Sequence, residues 1–285
     1  MKSFLAIILP AALCLLIPSA MARPNTVTEN ASPVFSPDGT RIAFASNRSN
    51  YFDIWIRDTA GRAARQITRL KHDMEPAWSP DGKMLAFASY GNTPNGPFTI
   101  WVVNVDGSNP RQLTHAVPRS DDNDQYPCWS PDGKYIAFTH GSRPWIMDGN
   151  GENAHPLTKD QTSYQYCGQW SPGGDQIAYL NKDGDSQYKI WLINRDGTGQ
   201  KILSESLAAH QAKWSRDGRF LYTNSEGTLI KIDVESGQAA LKLIKFPDES
   251  DFDISRDEKW IVYDDDGPDG SGKIYVKPLS KAARL

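Results

Sequence analysis

Residues 76–89 read PAWSPDGKMLAFAS, and residues 127–140 read PCWSPDGKYIAFTH. Each stretch places an aromatic side chain before a Ser-Pro-Asp-Gly corner and an apolar run after it. Proline fixes its own φ, and glycine adopts the left-handed conformation that other residues resist, so the corner is typical of a tight turn between two strands. The repetition predicts that one strand–turn–strand unit is built more than once in this chain.

The same pattern recurs through most of the sequence. Aligned on the aromatic position, six copies can be recognised, and they lie between 40 and 51 residues apart. The sixth copy is degenerate, because isoleucine replaces the aromatic residue. The anchor residues of the six copies are Phe35, Trp78, Trp129, Trp170, Trp214 and Ile254.

Each copy has a second half that is rich in β-branched and aromatic residues, such as DIWIRD at 53–58 or TIWVVN at 99–104. Such stretches between glycine-containing turns are typical of strands joined by hairpins. No segment after residue 22 shows a sustained helical period. Four short strands in each repeat are typical of a propeller blade. The predicted fold is therefore all-β, a single six-bladed β-propeller of four-stranded blades over residues 23–285.

The first 22 residues have the layout of a secretory signal peptide. Lys2 precedes an apolar run from Phe4 to Ile17, and the small residues Ala20 and Ala22 stand before the expected cleavage site. The run has 14 residues, fewer than the ~20 that a spanning helix needs. We expect an exported protein, periplasmic or secreted, with no membrane span.

The end of the sixth repeat predicts how the ring closes. The chain ends soon after KIYVKPL at 273–279, so a full fourth strand is not expected there. Residues 25–30, NTVTEN, precede the first repeat where an outer strand belongs. We expect this N-terminal strand to pair within the last blade, because pairing removes an open edge. A ring closed in this way buries its own edges, so a monomer is expected.

Composition excludes several classes of function. The chain carries 31 Lys and Arg against 34 Asp and Glu, a net charge of −3, so no nucleic-acid partner is expected. There is no Gly-x-Ser-x-Gly nucleophile motif and no glycine-rich phosphate loop. These absences favour a binding protein over an enzyme, and no catalytic residue is predicted.

The pattern WSPDG…IAF…IW…DG…LT resembles the TolB-type propeller repeat, a WD-like repeat also found in relatives of dipeptidyl-peptidase and prolyl-oligopeptidase. The resemblance covers nearly all of the chain after residue 22. It implies a six-bladed propeller in the bacterial periplasm that binds a protein or peptide of the cell envelope. TolB itself carries a smaller α/β domain before its propeller. Here the repeats begin within ten residues of the expected cleavage site, so we expect the propeller domain alone.

Ligands of propellers usually meet the longer loops around one end of the central channel. Here the loops that lead into the first strand of each repeat are acidic and contain tyrosines, which predicts a binding site at this channel mouth. The predicted mouth residues are His72, Asp73, Glu75, Asp121, Asp122, Asp124, Tyr126, Tyr164, Tyr166, His210, Glu249 and Asp251.

The residue types suggest separate roles at this mouth. Tyrosines supply the flat amphipathic surface that anchors partners, and neighbouring carboxylates should raise the pKa of His72 and of His210. Three alternatives stay open, one of which is a sensor that binds a small ligand or an ion at the mouth without catalysing a reaction. The acids can form a solvated rim without function, or the mouth can hold a lyase or hydrolase acting on oligosaccharides, with a divalent metal bound by histidines. The histidines follow no fixed ligand spacing, so no cofactor is expected.

Two cysteines follow the expected signal segment. Cys128 stands one residue before its anchor and Cys167 three residues before its own. Each cysteine stands an odd number of positions before its anchor, so the two side chains lie on corresponding sides of their own blades. They are therefore not expected to point at each other. A disulfide near the axis and two buried thiols both stay open.

Overall fold

The computed structural model shows a ring of six antiparallel sheets. It describes residues 28–91, 93, 96–115, 123–159, 164–182, 187–204, 209, 211–247, 250–265, 267 and 271–279, without the side chain of Cys167. These residues form strands and contain no helix. This part of the chain therefore has no helix that is long and apolar enough to cross a membrane. The predicted signal segment lies outside the described residues.

Each sheet is a meander whose strands follow one another in chain order. The first blade contains β1 (Asn30–Phe35), β2 (Arg41–Ser46), β3 (Asp53–Asp58) and β4 (Arg65–Gln66); the second contains β5 (Asp73–Trp78), β6 (Met84–Ser89), β7 (Thr99–Asn104) and β8 (Arg111–Gln112). The third contains β9 (Asp124–Trp129), β10 (Tyr135–His140), β11 (Arg143–Asp148) and β12 (His155–Pro156); the fourth contains β13 (Tyr164–Trp170), β14 (Gln176–Lys182), β15 (Lys189–Asn194) and β16 (Lys201–Ile202). The fifth contains β17 (Lys213–Trp214), β18 (Phe220–Ser225), β19 (Thr228–Asp233) and β20 (Ala239–Lys245); the sixth contains β21 (Phe252–Ile254), β22 (Trp260–Asp265) and β23 (Lys273–Pro278).

The first strand of each blade lies at the centre of the ring. β1, β5, β9, β13 and β17 contact one another in series, and β21 contacts β1. The ring is completed between the fifth and sixth blades, where the backbone N–H of Phe252 donates to Oε1 of Gln211 over 3.1 Å. The predicted six-bladed all-β propeller is confirmed, and its inner strands surround a central channel.

The Ser-Pro-Asp-Gly corner forms the turn between the first and second strand of a blade. In the second blade, Oγ of Ser79 donates to Oδ1 of Asp81 over 2.6 Å and accepts the backbone N–H of Met84 over 2.9 Å. Gly82 has a φ of 69°, which a side chain would resist. Equivalent serines in the first, third, fifth and sixth blades make the same pair of contacts. In the fourth blade Gly173 replaces the aspartate and Ser171 donates to Asp175 instead, so the repeated motif is in every blade a self-contained turn.

The aromatic anchors join neighbouring blades. Trp78 and Trp170 are buried against strands of the blades beside them. The indole N–H of Trp78 donates to the carbonyl of Val34 over 3.3 Å, and that of Trp170 donates to the carbonyl of Cys128 over 3.0 Å. These two anchors therefore combine apolar burial with one hydrogen bond across a blade boundary.

At the boundary between the sixth and first blades, the structure describes only the end of the predicted closing strand. Asn30 begins β1 and pairs with Ser46, so it belongs to the first blade instead of the sixth. No strand among the described residues pairs with the outer edge of β23, and residues 25–27 lie outside them. The ring is joined here by packing of Phe44 against Val262 and by side-chain hydrogen bonds near the axis.

Candidate binding site at the channel mouth

Six equivalent positions, three residues before each anchor, lie where the inner strands enter the ring. Ser32, Glu75 and Tyr126 have φ values of 53°, 56° and 53°, and the strand register shifts at each of them. Non-glycine residues rarely adopt this backbone, and bulges of this kind re-aim side chains, often at functional sites. We call these positions the channel ring: Ser32, Glu75, Tyr126, Cys167, Gln211 and Asp251.

Glu75 receives two hydrogen bonds from the third blade. The backbone N–H of Tyr126 donates to its Oε2 over 2.6 Å, and the side-chain amide of Gln125 donates to its Oε1 over 3.3 Å. The pKa of Glu75 is raised to about 8. Burial is the main cause and the negative charge of Asp251 adds to it, while the hydrogen bond from the Tyr126 N–H opposes the rise. Glu75 is therefore largely protonated at neutral pH.

Asp251 occupies the equivalent position of the sixth blade, which is separated from the second blade by the first. Its carboxylate accepts hydrogen bonds from Oγ of Ser32 over 2.7 Å and from the side-chain amide of Gln211. Burial raises its pKa, while the hydroxyl of Ser32 and the charge of Lys213 oppose that rise. Glu75 and Asp251 belong to the second and sixth blades, which do not adjoin, so their electrostatic interaction acts across the channel.

A second layer of the channel lies one residue before the anchors. Nζ of Lys213 is 3.7 Å from Oδ1 of Asp253, and both side chains are mostly buried. Burial raises the pKa of Asp253, and Lys213 opposes this shift. Burial also raises the pKa of Cys128, whose thiol is free and lies near both charges. The channel interior thus holds an ion pair next to a neutral thiol.

The predicted tyrosines come together on one side of the mouth. The ring centroids of Tyr126 and Tyr166 are 5.6 Å apart, and those of Tyr166 and Tyr188 are 5.3 Å apart. We call these three residues the tyrosine cluster. Tyr164 precedes Tyr166 in the same strand and is 60% exposed. Tyr166 and Tyr188 are partly buried against the core of the fourth and fifth blades, and Tyr126 links the cluster to Glu75 through its backbone N–H.

His72 lies in a second aromatic group, on the first and second blades. Its ring centroid is 5.4 Å from that of Tyr51 and 5.4 Å from that of Tyr90. Burial lowers the pKa of His72, and the upward effect of Asp53 does not overcome it. The expectation that neighbouring acids raise the pKa of His72 is wrong, because burial and the positive charge of Lys71 together outweigh the one nearby carboxylate.

Two predicted acids turn into their blades instead of facing the mouth. Asp73 is fully buried and accepts hydrogen bonds from Oγ of Ser89 and from the backbone N–H of Leu70. Burial raises its pKa to about 6. Asp124 is buried as well, with Oδ1 2.6 Å from Nδ1 of His140. Both carboxyls hold a blade together and offer no surface to a ligand.

Four predicted mouth residues, Asp121, Asp122, His210 and Glu249, lie outside the described residues. Within the part of the chain that the structure describes, no group of three or more His, Cys, Asp or Glu side chains is placed to hold a metal ion.

Sequence reasoning missed several residues of the site. Gln125, Gln211 and Lys213 contact the channel carboxyls, and Tyr188 completes the tyrosine cluster. Lys213 lies one residue before the anchor Trp214, and Gln211 lies three residues before it. A comparison of these two positions in all six repeats would have found both residues. Tyr188 precedes the third strand of its blade, a position outside the loops on which the prediction concentrated.

Ring and channel together define a six-bladed β-propeller with polar and aromatic side chains at one mouth of its channel. The chain belongs to the TolB beta propeller domain family, whose pattern matches residues 76–250. It is 32% identical over 176 residues to the Tol-Pal system protein TolB of Francisella tularensis, covering 59% of this chain and 39% of that protein. It is 27% identical over 169 residues to the uncharacterized peptidase YuxL of Bacillus subtilis, covering 58% of this chain and 24% of YuxL.

Solved structures agree on the fold. TolB from Acinetobacter baumannii has a TM-score of 0.65 at 19% identity, covering 90% of this chain and 65% of that one. An oligogalacturonate lyase in complex with manganese has a TM-score of 0.58 at 13% identity, covering 89% of this chain and 91% of that one. The chain spans less than two thirds of the length of the curated relatives described above, and these structural likenesses establish the architecture alone.

Proposed function

We propose that this protein is an exported, TolB-like binding module of the bacterial periplasm. It engages a protein or peptide of the cell envelope at the channel mouth. The observation that carries the proposal is the tyrosine cluster, which lies beside a channel ring of hydrogen-bonding groups. Membership of the TolB propeller family supports it.

The chemistry of the mouth favours a hydrogen-bond-rich peptide segment. Tyrosines anchor partners by large contact area at low entropic cost and retain a polar tip. Glu75 is largely protonated near neutral pH, so it can donate a hydrogen bond to a peptide carbonyl. Asp251 and the amide of Gln211 can accept and donate to the same backbone. Charge on the rim would set the approach rate more than the affinity.

Site-directed photo-crosslinking tests the proposal. A photoreactive phenylalanine replaces the exposed Tyr164, and the full chain is expressed in its source bacterium. We expect a defined cross-link to an envelope protein, and loss of that cross-link when Tyr126→Ala and Tyr166→Ala are added. Neutralising Asp121 and Asp122 should instead slow association at low salt while leaving most of the affinity.

The matched control is Tyr275→Ala, which removes a 37% exposed tyrosine of the sixth blade outside the mouth. It should leave the cross-link intact. If the double tyrosine variant cross-links as well as the unaltered chain, the mouth is not the binding surface. Cell fractionation and N-terminal sequencing of the mature chain test the export step, which fails if residues 1–22 are retained.

A second candidate is an enzyme acting on an oligosaccharide at the same mouth. The observation that favours it is that two carboxyls, Glu75 and Asp251, face one channel and interact, and that Glu75 is protonated near neutral pH, as a general acid must be. Incubation with acidic and neutral oligosaccharides, with and without added manganese, tests it. Product that disappears in Glu75→Gln would support the enzyme, and no turnover under either condition would exclude it.

A further inference from the structure

A positively charged groove lies away from the channel mouth, between the first and sixth blades. Its cavity volume is 260 Å³, and its lining includes Asn30, Phe44, Arg48, Arg57, Ala63 and Ile274. We call it the arginine groove. Its residues come from the first blade and from β23 of the sixth, so it runs along the boundary where the ring closes.

Arg48 is held in place at the rim of this groove. Its Nη2 donates to Oδ1 of Asn30 over 2.7 Å, and its Nε donates to Oγ of Ser46 over 2.9 Å. The guanidinium carbon lies 5.2 Å from the ring centroid of Phe44 and 4.9 Å from that of Trp55. Stacking on two rings fixes the plane of the guanidinium and leaves its other N–H groups for a ligand.

Arg57 lies deeper in the groove. Its Nη2 donates to the carbonyl of Ile274 over 3.3 Å, while its Nε is buried and has no hydrogen-bond partner among the described residues. A buried donor without an acceptor is costly. The guanidinium of Arg57 therefore lies in the wall of the groove with part of its hydrogen-bonding capacity unused.

The charges of the groove are incompletely balanced. Burial lowers the pKa of Arg48, and the positive charge of Arg57 lowers it further. Within the described chain neither guanidinium forms an ion pair. Asp58 adjoins Arg57 and favours its charge, but its carboxylate is already bound by Arg62. Two guanidiniums that share one cavity without a carboxylate of their own favour the entry of an oxyanion.

We propose that the arginine groove binds the oxyanion of a small organic ligand, a carboxylate or a phosphate carried on a molecule of monosaccharide size. Guanidinium groups match the geometry of both oxyanions. The cavity is equivalent to about nine water molecules at ~30 Å³ each, smaller than most sites for drug-sized ligands. Sugar acids and sugar phosphates satisfy both the charge and the size.

Calorimetric titration of the purified chain tests the proposal with three probes: glucuronate, glucose 6-phosphate and glucose. We expect one site per chain for at least one charged probe and no measurable binding of neutral glucose. Whichever charged sugar binds more tightly identifies the oxyanion. Arg57→Gln should weaken that binding by about tenfold or more, since it removes a charged, hydrogen-bonding partner.

Arg41→Gln is the matched control. Arg41 is a half-buried arginine of the same blade that also stacks on a tryptophan, with its guanidinium carbon 4.7 Å from the ring of Trp78, outside the groove. It should leave binding unchanged. A second variant, Ala63→Glu, places a carboxylate at the exposed edge of the groove. It should abolish binding without removing an arginine, which keeps the test valid if Arg57→Gln fails to fold.

Three results would overturn the proposal. The first is that neither charged sugar binds to the unaltered chain. This result would also be obtained if a segment of the chain itself filled the groove. The second is binding that Ala63→Glu and Arg57→Gln leave unchanged. The third is equal binding of glucose and glucuronate, which would show that the anion is not recognised.

Discussion

The two ends of the inner strands follow opposite rules. At the turn end, six copies of nearly one sequence make nearly the same contacts, each closed within its own blade. At the mouth end, the equivalent positions carry different residues in every blade, and most of their contacts cross to another blade. Repetition therefore marks what builds the ring, and departure from repetition marks what this particular protein does with it.

The physical reason lies in how each end satisfies its polar groups. In the turn, a serine hydroxyl, an aspartate and two backbone N–H groups pair locally, so every blade can use the same solution. In the channel ring, Glu75 and Asp251 depend on groups of other blades, such as the N–H of Tyr126 and the hydroxyl of Ser32. Such contacts need different residues on the two sides of a boundary.

The largest effect is expected at an anchor, where repetition is strongest. Trp170→Ala removes a buried indole between the third and fourth blades, and it should cost about 3–5 kcal/mol of the free energy of unfolding. The melting temperature should fall by on the order of 10 °C, measured by calorimetry. A fall as small as that of an exposed-site variant such as Tyr164→Ala would mean that the anchors do not hold the ring.

The ring was predictable because its signal is local and repeated six times. The turn chemistry, the aromatic spacing and the short strands all indicate one blade, and any one copy confirms the others. The closure was harder to predict. Asn30 looks like the end of an outer strand, yet it pairs with Ser46 in the first blade. A strand pattern predicts a strand and leaves its neighbour undetermined.

The site was predictable by region and less so by residue. Asp73 and Glu75 stand two residues apart in one acidic loop, but only Glu75 faces the channel. Asp73 is buried because its partner Ser89 ends the neighbouring strand, and Asp124 pairs with His140 at the same separation of 16 residues. The separation of 16 residues can be read from the sequence, but the sequence does not show that the two side chains of each pair are in contact.

The second largest effect should appear in the pH dependence of stability, through Glu75. Its pKa is about 8 in the folded protein against 4.5 unfolded, so the folded state binds the extra proton between these values. Stability should therefore fall as pH rises through about 8. Glu75→Gln mimics the protonated side chain and should be more stable than the unaltered protein at pH 8.5, on the order of 2 kcal/mol, by urea unfolding.

The control for this prediction uses His72, another titrating residue that was predicted at the mouth. Burial lowers the pKa of His72, so its contribution has the opposite sign and is confined to pH below about 6.5. The comparison of Glu75→Gln with the unaltered chain is therefore made from pH 7 upward, with His72→Gln in parallel. If the two stability curves of wild type and Glu75→Gln stay parallel from pH 7 to 8.5, Glu75 is ionised like an ordinary surface acid.

A smaller effect is expected at the turn end in acid. The hydroxyl of Ser36 and the N–H of Thr40 lower the pKa of Asp38 to about 2. Its contribution is complete above the unfolded value near 3.8 and is lost as pH falls toward 2. Asp38→Asn should cost about 1 kcal/mol or less at pH 6 and nothing at pH 2, measured by thermal unfolding. An equal loss at both pH values would place the effect on packing instead of charge.

The smallest effect separates burial from hydrogen bonding at the anchors. The indole N–H of Trp170 donates to the carbonyl of Cys128, whereas that of Trp129 is buried without a partner among the described residues. Replacement by phenylalanine keeps an aromatic ring at both sites. Trp170→Phe should lose about 1 kcal/mol more than Trp129→Phe, because only the first change breaks a hydrogen bond and the second removes an unsatisfied donor. If urea unfolding shows that both variants lose the same free energy of unfolding, the anchors stabilise the ring by the packing of their aromatic rings alone. The hydrogen bond of the indole nitrogen would then contribute nothing measurable.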